Sequence, residues 1–130
     1  MKLILIFVLF VALDLIWFKF SGSFFKGEVS SIARLNADGS WDVRLVPAIL
    51  VYLVMSVGIV WFVLPQVNSV TSALVWGGLF GLVMYGIYDF TNLATLSAWT
   101  TKFVVVDILW GTVLCATVTT ITYYLLKLIT

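Results

Sequence analysis

Three aspartates, Asp14, Asp89 and Asp107, stand inside or at the ends of apolar runs where a carboxylate is costly to place. On insertion scales an aspartate within the acyl region costs about 2.5 to 3.5 kcal/mol, so each should face the interior of a bundle and have a partner. Two of them are followed three residues later by tryptophan, in Asp14-Leu15-Ile16-Trp17 and Asp107-Ile108-Leu109-Trp110. At i and i+3 the side chains share a helix face, which sets an acceptor beside an aromatic wall whose indole N–H can donate. Around Asp89 helical spacing aligns Tyr85, Tyr88, Asp89 and Asn92 as a polar stripe. The stretch from Thr91 to Trp99 is small, polar and uncharged, and adds Thr91, Thr95 and Trp99 to the candidate ligand-binding residues. Carboxylates walled by Trp17, Trp99 and Trp110 suit a small cationic or amphipathic ligand, through ion pairing and cation–π contact.

Binding or transport of such a ligand, through a pocket on the cytoplasmic side, is the leading expectation. A second reading is a membrane-embedded enzyme acting on a lipid or isoprenoid, in which one carboxylic acid gives a proton and another carboxylate takes one. A third is a structural or assembly subunit in which the same polar groups only join helices. Other chemistries are disfavoured or excluded. With no histidine, an imidazole base and histidine-ligated metal or haem are ruled out. Cys115 is alone among apolar residues, so it forms no intrachain disulfide and reads as a small packing residue. Gly77-Gly78 is not followed by the lysine of a phosphate loop. Three carboxylates with threonine and asparagine oxygens have the chemistry for a hard cation, but not a recognisable ligand spacing, so no metal or cofactor is expected. A net charge of +1 without clustered Lys and Arg argues against nucleic acid.

The elements that must position these residues follow from hydropathy. The 130-residue chain has one domain's length, is 63% hydrophobic and only 10% charged, against about 25% in water-soluble domains. With a mean hydropathy of +1.19 it reads as an integral membrane protein, with the lipid bilayer as its partner. Apolar runs over residues 3–20, 45–64, 69–90 and 103–127 predict an all-α four-helix bundle. The first run is not a signal peptide, because Asp14 lies inside it and Trp17-Phe18-Lys19-Phe20 precede the small residues. Between helices 1 and 2, Phe20, Phe24, Phe25, Ile32 and Leu35 recur near helical spacing among Lys26, Glu28 and Arg34. That pattern predicts a short amphipathic helix at headgroup level, followed by a turn at Asn36 to Ser40. Pro47 opens helix 2 and Pro65 closes it, while Ser69, Thr71 and Ser72 are cap candidates for helix 3. Gly77 and Gly81 permit close helix approach, either within the chain or across a homodimer.

Helices 1 and 3 run one way and helices 2 and 4 run back. Topology therefore gathers Asp14, one turn before the end of helix 1, with Asp89 and Asp107 on one side of the membrane. Lys19, Lys26, Arg34, Arg44 and Lys102 fall on that side and only Lys2 and Lys127 on the other. Positive-inside reasoning makes it cytoplasmic, with both termini periplasmic.

Two strings carry a resemblance: Tyr88-Asp89-Phe90-Thr91-Asn92-Leu93-Ala94-Thr95-Leu96 with Trp99, and Val105-Val106-Asp107-Ile108-Leu109-Trp110-Gly111-Thr112. With Asp14, Trp17 and the Pro47-to-Pro65 helix, they resemble the bacterial membrane family called domain-of-unknown-function family 2177. The resemblance covers essentially the whole chain. It implies a small four-helix protein of the bacterial inner membrane, groups the two strings as a signature, and transfers no activity.

Overall fold

The computed structural model describes residues 1–129. Helix α1 spans Lys2–Val29 and α2 spans Leu45–Gly58. The second span continues through a π turn, Ile59–Val63, and a 3-10 turn, Leu64–Gln66. Helix α3 spans Val70–Thr95 and α4 spans Thr101–Ile129. All four spans, of 22 to 29 residues, are long and apolar enough to cross a membrane. At 1.5 Å per residue they measure about 33 to 44 Å, against a hydrocarbon core of about 30 Å. Large apolar side chains such as Ile49, Leu50, Val54, Trp61 and Phe62 stay exposed on the outside. In a bilayer that face meets acyl chains, as expected of helices apolar all round.

The interior holds two apolar clusters. One joins Ile6 and Phe10 of α1, Met55, Ile59 and Val63 of the second span, and Leu114, Cys115 and Val118 of α4. The other joins Phe25 and Val29 of α1 to Phe103 of α4. Asp14 lies between the clusters along α1, and Asp107 lies between them along α4.

The tightest seam is α3 against α4. A Cβ on Gly77 would lie 2.6 Å from Thr119 Oγ1 and 2.7 Å from the Cys115 carbonyl oxygen. One on Gly81 would run into the Gly111 carbonyl, and one on Gly111 into the Tyr85 ring. Gly77 and Gly81 thus permit close approach of α3 to α4 within the chain. At the start of α3, Ser69 Oγ accepts from the Ser72 backbone N–H at 3.1 Å, and Ser72 Oγ accepts from the Ser69 N–H at 2.9 Å. Ser69→Ala breaks this reciprocal cap and is expected to lower stability by about 1 kcal/mol, read as a fall in the unfolding midpoint in nanodiscs.

The second span widens before Pro65. The Leu64 N–H reaches back five residues to the Ile59 carbonyl, and proline offers no N–H to the carbonyls of that turn. Gly58, just before the widening, faces the Phe80 ring where a side chain would otherwise stand.

The first connection corrects one expectation. No separate interfacial helix lies between α1 and α2, because residues 20–29 continue α1 without a break. The helical spacing of Phe24 and Phe25 is a real signal, but Phe25 and Val29 turn inward onto Phe103. At the end of α1, Glu28 takes the Thr100 hydroxyl as a donor and pairs with Lys102 Nζ at 3.9 Å. These contacts offset the helix penalty of Gly22 and Gly27, about 1 kcal/mol each. Beyond α1 the chain turns at Gly39, whose φ of 80° is left-handed. There Asp38 Oδ1 accepts from the Ser40 hydroxyl at 2.6 Å and its backbone N–H at 2.9 Å. Those bonds hold the Asp38 carboxyl below its usual range. Helix α3 also runs past residue 90 to Thr95, leaving only residues 96–100 as the connection to α4.

Candidate functional site

Asp14 lies on the buried ridge Ile6, Phe10, Asp14, four residues apart, near the middle of α1. Hydropathy alone puts it one turn from the helix end; the continuation to Val29 sets it deeper. Its Oδ2 accepts from the Tyr52 hydroxyl at 2.7 Å and its Oδ1 from Trp110 Nε1 at 2.7 Å. One carboxyl thus joins α1, α2 and α4, with both oxygens engaged.

Asp89 is fully buried on the α4 side of α3. Its Oδ1 accepts from Trp99 Nε1 over a longer 3.3 Å. Its Oδ2 is buried without a hydrogen-bond partner. Asp107 sets its carboxyl against that of Asp89, within hydrogen-bonding reach, and also lies in the field of Asp14. The Tyr85 hydroxyl lies in the fields of Asp14 and Asp107, and its ring packs against Gly111. The hairpin topology sets Asp89 beside Asp107, with Asp14 within electrostatic range of Asp107. Arg34 pairs with Asp42 and Lys102 with Glu28, and among the described residues none of the three acids carries an ion pair. No three of the described acidic, cysteine or histidine side chains gather as a metal-ligand set.

A continuous run of rings links the Asp14 node to the Asp89–Asp107 pair. Trp110 stacks on Trp17 at 4.5 Å and 7°. Trp17 meets Phe25 edge-on, Phe25 meets Phe103 at 4.9 Å, and Phe103 meets Trp99 at 4.4 Å. Trp99 packs at right angles to Tyr88 at 5.6 Å. Each such pair adds about 0.5–1.5 kcal/mol beyond area burial. The i,i+3 pairing of aspartate with its own tryptophan is corrected here. Trp110 donates across to Asp14 rather than to Asp107, and Trp17 Nε1 is buried without a partner. Only the Trp110 indole crosses between helices, donating to Asp14 while its ring stacks on Trp17.

Not every expected residue joins the cluster. Thr91 and Thr95 are exposed, and the Thr95 hydroxyl donates back to the Thr91 carbonyl at 2.8 Å. Half-buried Asn92 lines, with Met84, Ile87, Tyr88 and Thr91, a groove of about 400 Å³ on the outer side of α3. A second groove lies at the opposite end, beside Lys2, Leu64, Tyr123 and Lys127. Neither opens between the three carboxyls. Sequence reasoning also missed Tyr52, the donor to Asp14. Its signal was available: Tyr52 and Ser56, one turn apart, are the only hydroxyls in residues 45–64.

Fold and site together define a four-span integral membrane protein with buried Asp14 and Asp89 and half-buried Asp107, none of them ion-paired among the described residues. The chain belongs to the family described as "Predicted membrane protein (DUF2177)", whose model matches residues 1–124. No curated protein and no solved structure gives a significant match.

Proposed function

We propose that this protein binds a cationic ligand inside the membrane at the Asp89–Asp107 pair, the step on which carriage of that ligand across the bilayer depends. One observation carries the reading: a fully buried Asp89 carboxyl has an oxygen that receives no N–H or hydroxyl donor, it stands beside the Asp107 carboxyl, and among the described residues neither acid forms an ion pair. Within a bilayer such a pair is neutralised by a proton or by a bound cation, and an ammonium N–H supplies the donor that Oδ2 lacks. Trp99 and Tyr88 add ring faces beside it. The distribution of lysine and arginine supports an orientation with both termini on the outer side of the membrane and the acid pair toward the cytoplasm.

Asp14 favours a different role. Both of its oxygens are engaged across three helices, so it acts as a structural tie rather than a ligand group. The test is binding of n-alkylammonium ions, butyl and dodecyl, to purified protein in nanodiscs, with empty discs as the baseline. Wild type should bind saturably, and the folded Asp89→Asn, Asp107→Asn double variant should bind at least tenfold more weakly. Equal binding by the two proteins, or no saturable binding by wild type, would falsify the assignment.

A further inference from the structure

The groove on the outer side of α3 is lined by residues that neighbour Asp89 along the helix. Tyr88, which lines it, immediately precedes Asp89, and Asn92 lies three residues beyond. The Tyr88 hydroxyl lies in the fields of both Asp107 and Asp89. Its ring packs at right angles to Trp99, the residue that donates to Asp89. Tyr88 thus has one side on the groove and the other on the buried pair. The rest of the groove is apolar at Met84 and Ile87, and Ile87 is 65% exposed on a helix flank that faces acyl chains.

On the opposite side of the pair, between the end of α1 and the start of α4, the way is filled. Phe25, Phe103 and Trp99 pack there, and Glu28 holds the two helix ends together through Thr100. Rings therefore pack between the acid pair and the 96–100 connection, and beside the pair Tyr88 reaches a groove on the lipid-facing flank of α3.

From this juxtaposition we infer that the ligand of the acid pair is a membrane-dissolved amphiphile, a primary ammonium head on an alkyl chain, which reaches Asp89 sideways from the bilayer past Tyr88. The inference rests on the proposed binding at Asp89 and Asp107, and it adds the chain and the direction of approach. The chain lies along Met84 and Ile87. The head passes between Tyr88 and Asn92, donates to Asp89 Oδ2 and faces the Trp99 ring. Desolvation of the head is shared between the polar rim of the groove and the carboxyls, so the charge never crosses bare hydrocarbon.

The experiment fills the groove from outside. Ile87→Trp and Thr91→Trp both replace exposed residues, so at least one should leave the fold intact, as judged by an unchanged melting profile. Dodecylammonium binding is measured for both in nanodiscs beside wild type, Asp89→Asn and Asp107→Asn. A tenfold or greater loss of affinity in a folded groove variant, with loss of binding in the aspartate variants, is the expected result. If both groove variants bind dodecylammonium within twofold of wild type while the aspartate variants do not, sideways approach is wrong and the acid-pair reading stands. Sideways approach is likewise overturned if butylammonium binds as tightly as dodecylammonium, because the chain then contributes nothing. If wild type and Asp89→Asn are alike, both readings fail together.

Discussion

Gly81→Ala is expected to destabilise the protein more than alanine at Gly22 or Gly27, by about 1 to 3 kcal/mol. The added methyl would meet the Gly111 carbonyl, which is backbone and cannot rotate aside, with Cys115 Cβ at 3.0 Å behind it. To admit it, α3 and α4 must separate along a seam that has glycine on both sides. Separation also lifts Tyr85 from Gly111 and loosens the contact between Asp89 and Asp107. Gly22→Ala is the control with the opposite sign. Nothing lies within 4 Å of its Cβ position, so replacing a mid-helix glycine should gain about 0.5–1 kcal/mol. Unfolding midpoints of the two variants in one lipid should move in opposite directions. A shared direction would mean that the α3–α4 approach is not as close as described.

Asp14→Ala and Asp89→Asn should differ just as sharply. Removing the Asp14 carboxyl strands the Tyr52 hydroxyl and the Trp110 indole N–H, each at about 1 to 3 kcal/mol, and unties α1 from α2 and α4. Asparagine at 89 keeps an acceptor for Trp99 and gains an amide that can donate to Asp107, so stability should change by less than about 1 kcal/mol. The two variants therefore separate a structural tie from a binding group. Thermal unfolding alone decides it: if Asp89→Asn falls as far as Asp14→Ala, the acid pair is also glue.

The class of protein is plain from composition, and the spans follow from apolar runs and prolines. Four antiparallel spans are enough to set Asp89 beside Asp107, with Asp14 within electrostatic range of Asp107. Depth is less legible. Residues 20–29 carry Lys, Glu and two glycines, which read as the end of a helix, yet Phe25, Val29 and Glu28 hold that segment against α4. Long-range packing overrides local composition there. Which indole serves which carboxyl is also hidden, because i,i+3 spacing describes one helix while the Trp17–Trp110 stack forms between two. Thr91 and Thr95 look like site residues on composition, but helical rotation turns both outward once α3 is known to reach Thr95.

The widened turn at Ile59–Val63 bears on how chains of this kind tolerate changes in length. A hydrogen bond spanning five residues encloses one residue more than the ordinary helical bond. An insertion or deletion inside a membrane helix normally swings every later side chain by about 100°. Here a deletion can be absorbed by tightening the loop of backbone, leaving Tyr52 facing Asp14 and Val63 facing the core. A shorter relative could lack one position between Gly58 and Pro65 and still present the same faces to the same neighbours.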